Sequence, residues 1–452
     1  MQGKALARGS ACSEPTGVLY KKLKPGPGKD AAQVADHQRA RIHSAMLELV
    51  AENGYEAVTV RDLARAAGVS TRSFYKHYAS KEKCFLQVLR LSTQRVLRLI
   101  ELPQKRTSGE RIRLAIDAIA DAIASEPKAA HLLCVDAYMA GPVALKHAES
   151  GRRSIEMAID KGFDGEKPGR PRPSLAAEAI VAGVYCAIRD YRLKEQDLPP
   201  AYLRETLGPW MTSCCKSYSQ LNELAEIPSL GVDEVNLFTG EIMDRDQRVR
   251  GVKSSQGDRT ALLKAATKLA AAESYQTLTM SKLAKAAGVS RRTFHANFGS
   301  LEECLLRALE LEAADVMTCV REASNSGLTP EEASYRAVVT LCRRIESDKS
   351  IATHCFDASV APGIPRMCFQ KAMVDDLTVI LADRLEGAGS VDRSTIRVAA
   401  GSIWGTIENH VTSGRAHGLP RRAPALASLL LAPAVGPTAA MGTISQEHAL
   451  TT

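Results

Sequence analysis

Two clusters of hydrogen-bond donors, 220 residues apart, hold the chemistry of this sequence. The first is Thr71, Arg72, Ser73, Tyr75, Lys76 and His77, with Arg61 upstream and Lys81 just downstream. The second is Lys282, then Arg291, Arg292, Thr293, His295 and Asn297. Hydroxyls, amides and forked guanidiniums reach the edges of base pairs, while lysine and tyrosine reach phosphate oxygens. That chemistry is recognition of double-stranded nucleic acid. Bond-making constellations are missing: the sequence has no phosphate-cradling Gly loop, no G-x-S-x-G and no H-E-x-x-H. An enzyme is therefore not expected, and no cofactor. His131 and Cys134 have metal-ligand spacing, but no further ligands complete a four-coordinate set, so no metal is expected. Cys214 and Cys215 are adjacent and could pair only with strain. Lys216 is their one basic neighbour able to lower a thiol pKa.

The elements that must position the first cluster are legible. Thr59 can cap a short helix running to about Ala67, with Asp62 as the reciprocal capping partner. Gly68 supplies a turn where positive φ costs little. Ser70 can cap a second short helix through about His77. Leu63, Val69, Phe74 and Tyr78 give both helices one apolar seam. Two short helices joined by a tight glycine turn make a helix-turn-helix. The same plan recurs. Thr59–Leu86 aligns without gaps on Thr279–Leu306, and about half of the pairs are identical, including Ala66-Ala67-Gly68-Val69-Ser70 against Ala286-Ala287-Gly288-Val289-Ser290. A match this dense is an internal duplication.

Gly54-Tyr55, then T-V-R-D-L-A, A-G-V-S and F-Y-K-H-Y-x-S-K-E, resembles the DNA-binding domain of TetR-family transcriptional regulators. The resemblance covers roughly Gln38 to Leu89, and again Arg259 to Leu309. It implies that Arg61, Thr71, Arg72, Ser73, Tyr75, Lys76, His77 and Lys81 face DNA. Tyr75 and Lys81 match positions that grip phosphates. Thr71, Arg72 and Ser73 open the recognition helix, where bases are read. The second copy departs from the pattern. His295 replaces Tyr75, Asn297 replaces His77, Leu301 replaces Lys81 and Ser281 replaces Arg61. It is either a degenerate head kept for structure or a head tuned to another half-site. The second reading is favoured, because Lys282, Arg291, Arg292 and Thr293 still offer donors.

With 452 residues the chain is too long for one core. Abundant Ala and Leu with only 5% aromatics favour helix. The net charge of +8 is compatible with nucleic acid as a partner but diluted over this length. No signal-peptide core is seen at the N-terminus. The apolar stretch Ala423–Val435 is too short to span a bilayer. An odd count of 11 scattered cysteines then reads as reduced thiols in a cytoplasmic protein, with no membrane partner. The fold class expected is all-α: two tandem TetR-like units, each a helix-turn-helix head on a helical body. Residues 1–36 are expected to be a flexible basic tail, 37–89 the first DNA-binding domain and 90–221 the first body. A linker follows at 222–257, then the second DNA-binding domain at 258–309 and the second body at 310–435. Residues 436–452 are expected to be disordered. Ile112, Ile116, Ile119 and Ile123 form one buried stripe, echoed by Val338, Leu341, Cys342 and Ile345.

The resemblance further implies a small-molecule site in the bodies, with Cys134, Tyr138 and Met139, Tyr185, and Phe356, Met367 and Trp404 as candidates, although each also fits plain core. The function implied is a sequence-specific regulator of transcription, a repressor relieved by an apolar effector. A constitutive DNA-binding protein, or an interaction scaffold with vestigial heads, are the alternatives. Family members are homodimers because one head reads half an operator. A chain with two heads is expected to be a monomeric pseudo-dimer that binds two unlike half-sites. A linker of this length raises the effective concentration of each half to about the millimolar range.

Overall fold

The computed structural model describes residues 31–100, 108–164, 175–194, 196, 198–216, 253–272, 277–325, 328–356, 364–386 and 391–451, and every element among them is helical. The chain divides into two compact units. One takes Met1–Arg95 with Asp121–Ala148, the other Val96–Ala120 with Glu149–Thr452. The first therefore carries the first head, the second the second head and most of both bodies.

In the first unit, α1 (Ala31–Asn53), α2 (Val60–Ala67), α3 (Thr71–His77) and the N-terminal part of α4 (Lys81–Ile100) enclose Ile42, Met46, Leu63, Phe74, Phe85 and Leu89, all buried. The chain returns to this unit in α5 (Ser108–Ser125). Pro127 at the first position of α6 forces a break there. α6 runs Pro127–His131, passes through a π-helical turn at Leu132–Asp136 and ends at Ala137–Met139. A Lys128–Glu48 ion pair ties it to α1. Gly141, at φ 92°, turns the chain into α7 (Pro142–Asp164).

In the second unit, α8 is Leu175–Leu193. α9 comprises Pro200–Tyr202, a π-helical turn at Leu203–Leu207 and Gly208–Lys216. The second repeat supplies α10 (Lys253–Ala272), α11 (Met280–Ala286), α12 (Arg291–Asn297), α13 (Leu301–Ala323), α14 (Pro330–Ser347), α15 (Lys349–Phe356), α16 (Ile364–Leu385), α17 (Arg393–Thr412), α18 (Leu419–Val435) and α19 (Pro437–Thr451). The Thr329–Glu332 capping box opens α14, whose stripe Val338, Leu341, Cys342 and Ile345 is buried as expected. From the first repeat, α8 lies along α17 of the second. Glycines allow the approach: a Cβ on Gly405 would fall 2.8 Å from that of Ala182. The Trp210 indole of α9 donates to the Leu429 carbonyl of α18 at 2.9 Å.

Three boundaries differ from the sequence reading. Helix α1 begins at Ala31 rather than at position 37, since Ala31, Ala32 and Gln33 are good helix formers. Helix α10 begins at Lys253, inside the expected linker; 217–252 and the tail before Ala31 lie outside the described residues. The tail expected to be disordered after position 435 instead forms α19. It buries Ala440 and Ile444, and Glu447 accepts from Arg336 of α14 at 2.7 Å. It packs on the preceding α18 and on α14, and the α14 surface lies a hundred residues away in sequence, where no local pattern announces it.

Candidate nucleic-acid interface

The first head is built as its residues dictate. Thr59 and Asp62 form the reciprocal capping box, with Asp62 N–H donating to Thr59 Oγ1 at 3.2 Å and Thr59 N–H to Asp62 Oδ2 at 3.3 Å. The Thr59 hydrogen bond leads in holding the Asp62 carboxyl below its ordinary range. Gly68 takes φ 60°, ψ 37°, and Val69 N–H returns to the Ala64 carbonyl at 2.9 Å, closing the turn. Buried Arg41 from α1 donates to the Gly68 carbonyl at 3.3 Å and pins it. Ser70 accepts from Ser73 N–H at 3.0 Å and starts α3. Phe74 is the anchor: fully buried, it meets the Tyr75 and Tyr78 rings at 5.6 and 5.8 Å.

With that frame fixed, the recognition helix sorts its side chains. Arg61, Thr71, Arg72, Tyr75 and Lys76 are exposed, Tyr75 to 56%, which is unusual for a ring its size. Ser73 and His77 are half-buried and share one partner: Ser73 Oγ donates to Gln38 Oε1 at 2.9 Å, and His77 Nε2 lies at the same distance from it. Burial and Arg39 lower the His77 pKa, so the ring is neutral near pH 7. Lys81 is also committed. Its ammonium donates to the Tyr55 carbonyl at 2.9 Å and sits 4.1 Å from the centre of that ring. Two of its three protons remain for another acceptor. Gln38, Arg41 and Tyr55 are the residues the sequence reading missed. Gln38 lies on α1, 35 residues before Ser73, and nothing in its own spacing marks it.

The second head repeats the frame with other contacts. Thr279 caps α11 through Lys282 N–H at 3.3 Å; the lysine at this position cannot return the bond as Asp62 does. Gly288 takes φ 70° and Ser290 caps α12. Lys282, Arg291, Arg292 and His295 are exposed. Thr293 shares its hydroxyl with Ser290 at 2.9 Å, and the Asn297 amide donates to the Thr293 carbonyl at 2.8 Å. Arg259 of α10 stacks 4.4 Å from the centre of the Phe298 ring and donates to the Asn297 carbonyl at 2.8 Å.

The effector candidates are mostly core. In the first unit Cys134 is buried within the π-helical turn of α6, beside half-buried Tyr138 and Met139. In the second unit Tyr185, Phe356, Met367 and Trp404 are buried, and the Phe356 and Trp404 rings lie 5.0 Å apart. Among the described residues the Trp404 indole N–H has no hydrogen-bond partner. His131, the other candidate metal ligand, is buried. Among the described residues no group of three His, Cys, Asp or Glu is placed to hold a metal ion. Nor is any helix among them long and apolar enough to cross a membrane.

Two short capped helices, a positive-φ glycine between them and an outward face of arginine, lysine and hydroxyl groups define a helix-turn-helix of the nucleic-acid-binding class. The model of the bacterial regulatory proteins of the tetR family matches residues 42–88 and again 262–308, the two heads. Each of the two heads is therefore a TetR-type DNA-binding domain, and the two stand in tandem in one chain. The chain is similar to the HTH-type transcriptional activator FasR of Mycolicibacterium smegmatis, at 27% identity over 131 residues. The match covers 28% of this chain and 58% of that relative. Among solved structures it is similar to the fatty acid degradation regulator FadR from Bacillus halodurans, with a TM-score of 0.33, 16% identity, and coverage of 38% of this chain and 96% of that one. A transcriptional regulator from Aquifex aeolicus VF5 gives a TM-score of 0.30 at 20% identity, covering 38% and 95%.

Proposed function

We propose that this chain is a sequence-specific, DNA-binding regulator of transcription whose two heads read one operator with unlike halves. The observation that carries this reading is the pair of recognition helices, alike in frame and different in outward side chains. The first presents Arg72, Tyr75 and Lys76. The second presents Arg291, Arg292 and His295. Arginine on guanine and lysine on phosphate would serve both, but the base steps preferred would differ. The test is selection of DNA from random sequence by the purified full chain. An imperfect palindrome with unlike halves is expected, and a perfect palindrome would overturn the unlike-site reading.

Pairing of the two repeats inside one chain is part of this proposal, supported by the packing of α8 on α17. So is an effector. The unpartnered Trp404 N–H beside Phe356 would welcome an apolar molecule with one acceptor oxygen. Such a molecule would relieve repression only as far as it prefers one of two conformations. An activating role is the second reading, favoured by the similarity to an activator. A reporter driven by the selected site separates the two, rising or falling when the chain is expressed.

A further inference from the structure

Helices α8 and α17 cross antiparallel, with contacts recurring every four residues on α8 and every four or five on α17. On α8 the rungs are Glu178, Ala182, Cys186 and Asp190. Facing them on α17 stand His410, Gly405, Gly401 and Arg397. The middle rungs are small because they must be: a Cβ on Gly401 would fall 2.6 Å from Cys186 Sγ. The outer rungs are charged. Asp190 Oδ2 accepts from Arg397 Nε at 2.7 Å. Glu178 lies 3.6 Å from His410 Nδ1 and, through its other oxygen, 3.6 Å from Arg415 Nη2. Glu178, Asp190 and His410 are each buried. Thus α8 ends its contact stripe in acid at both ends, answered by Arg397 at one end and by Arg415 with the His410 ring, whose Nδ1 also lies 3.0 Å from the Thr406 carbonyl, at the other. Other charges flank the ladder: Asp375 of α16 also takes Arg397, Lys371 pairs with Asp375, and Arg189 lies 3.8 Å from Glu408.

In the same antiparallel register about its own midpoint, α8 paired with a second α8 would set Glu178 against Asp190 twice. Two copies of α17 would set Arg397 against His410 twice. The first arrangement sets buried carboxylates against buried carboxylates and removes Arg397 and Arg415, their partners on the second repeat, which burial makes costly. The observed pairing avoids both. We propose that these end charges are a pairing code that directs the first body to the second and away from a copy of itself. Specificity then comes from a penalty on the wrong partner as much as from attraction to the right one. The inference rests on the α8–α17 packing that supports intramolecular pairing, but the two are separable by experiment.

The experiment uses the full chain in four forms: wild type, Asp190→Lys, Arg397→Glu and the double variant. Melting temperature and sedimentation mass are read for each. Each single variant is expected to melt at least about 4 °C lower. Asp190→Lys makes α8 complementary to itself, so a dimer of whole chains is expected to appear with concentration. The double variant is expected to recover at least half of the summed loss. Strictly additive losses would overturn the code, and so would an Asp190→Lys chain that stays monomeric and melts like the wild type. If a reversed single does not fold, Asp190→Asn and Arg397→Gln are read the same way, with non-additivity expected and additivity fatal. A wild type that sediments as a dimer of whole chains, while the double variant still recovers, would sink intramolecular pairing and leave the code standing.

Discussion

Arg72 and Lys81 separate two kinds of contact at the level of single side chains. Arg72 is exposed and tied to nothing in the head, so Arg72→Ala should change which sequence is selected, at about 1–3 kcal/mol per affected base pair. Competition binding with a panel of single-base variants reads this out. Lys81 instead supports Tyr55, so Lys81→Ala should do two things. It should lower the melting temperature slightly and reduce the salt slope of DNA binding by about one unit. A drop in stability with an unchanged slope would make Lys81 purely structural. His43 adds a pH dependence. Its ring contacts the Tyr78 hydroxyl, and burial with Arg39 and His77 nearby lowers its pKa to about 4. The unfolded chain therefore binds more protons than the native one between about pH 6.5 and 4. Stability should be full above about pH 6.5 and fall by on the order of 3 kcal/mol as the pH drops through that window. His43→Leu, which copies Leu263 of the second head, should flatten the thermal-melt profile there.

Among the elements, the glycines of α17 have the sharpest consequence. Gly401 and Gly405 sit inside a helix, where alanine is ordinarily better by about 1 kcal/mol. The helix contact reverses that preference, because the added methyl meets Cys186 or Ala182 well inside van der Waals distance. Gly405→Ala should therefore destabilise by about 1–3 kcal/mol in urea unfolding, against the intrinsic trend. A neutral or stabilising result would mean that α8 and α17 do not approach as described. The glycine at the head's turn works differently. A Cβ on Gly288 would touch nothing, but φ 70° is strained for alanine whatever the space, so its cost is conformational rather than steric.

For the whole molecule the central expectation is its mass in solution. One chain already holds both partners of the α8–α17 contact, so sedimentation should give a single chain across micromolar concentrations. A stable dimer of whole chains would count against intramolecular pairing. Deleting α19 tests the C-terminal element. It should leave Arg336 without Glu447 and open the surface covered by Ile444. The melting temperature should fall by several degrees, and an unchanged value would make α19 an ornament.

How much of this was legible beforehand follows from the range of the interactions. The heads were readable almost residue by residue, because their logic is local: Thr59 with Asp62, Ser70 with Ser73 and Gly68 between them act within four positions. The repeat was readable because duplication leaves the same local logic twice. Which donors stay available was not, since Gln38 of α1 and the Tyr55 carbonyl in the turn after it claim Ser73, His77 and Lys81. Helix α19 was missed for a related reason: it is held by packing on α18 and α14 and by Arg336, not by its own pattern. Most of all, the sequence shows Glu178, Asp190, Arg397 and His410 only as scattered charges in apolar helices. Folding sets them on facing ends of one ladder, because burial forces each charge to find its opposite, and that decision belongs to the tertiary structure.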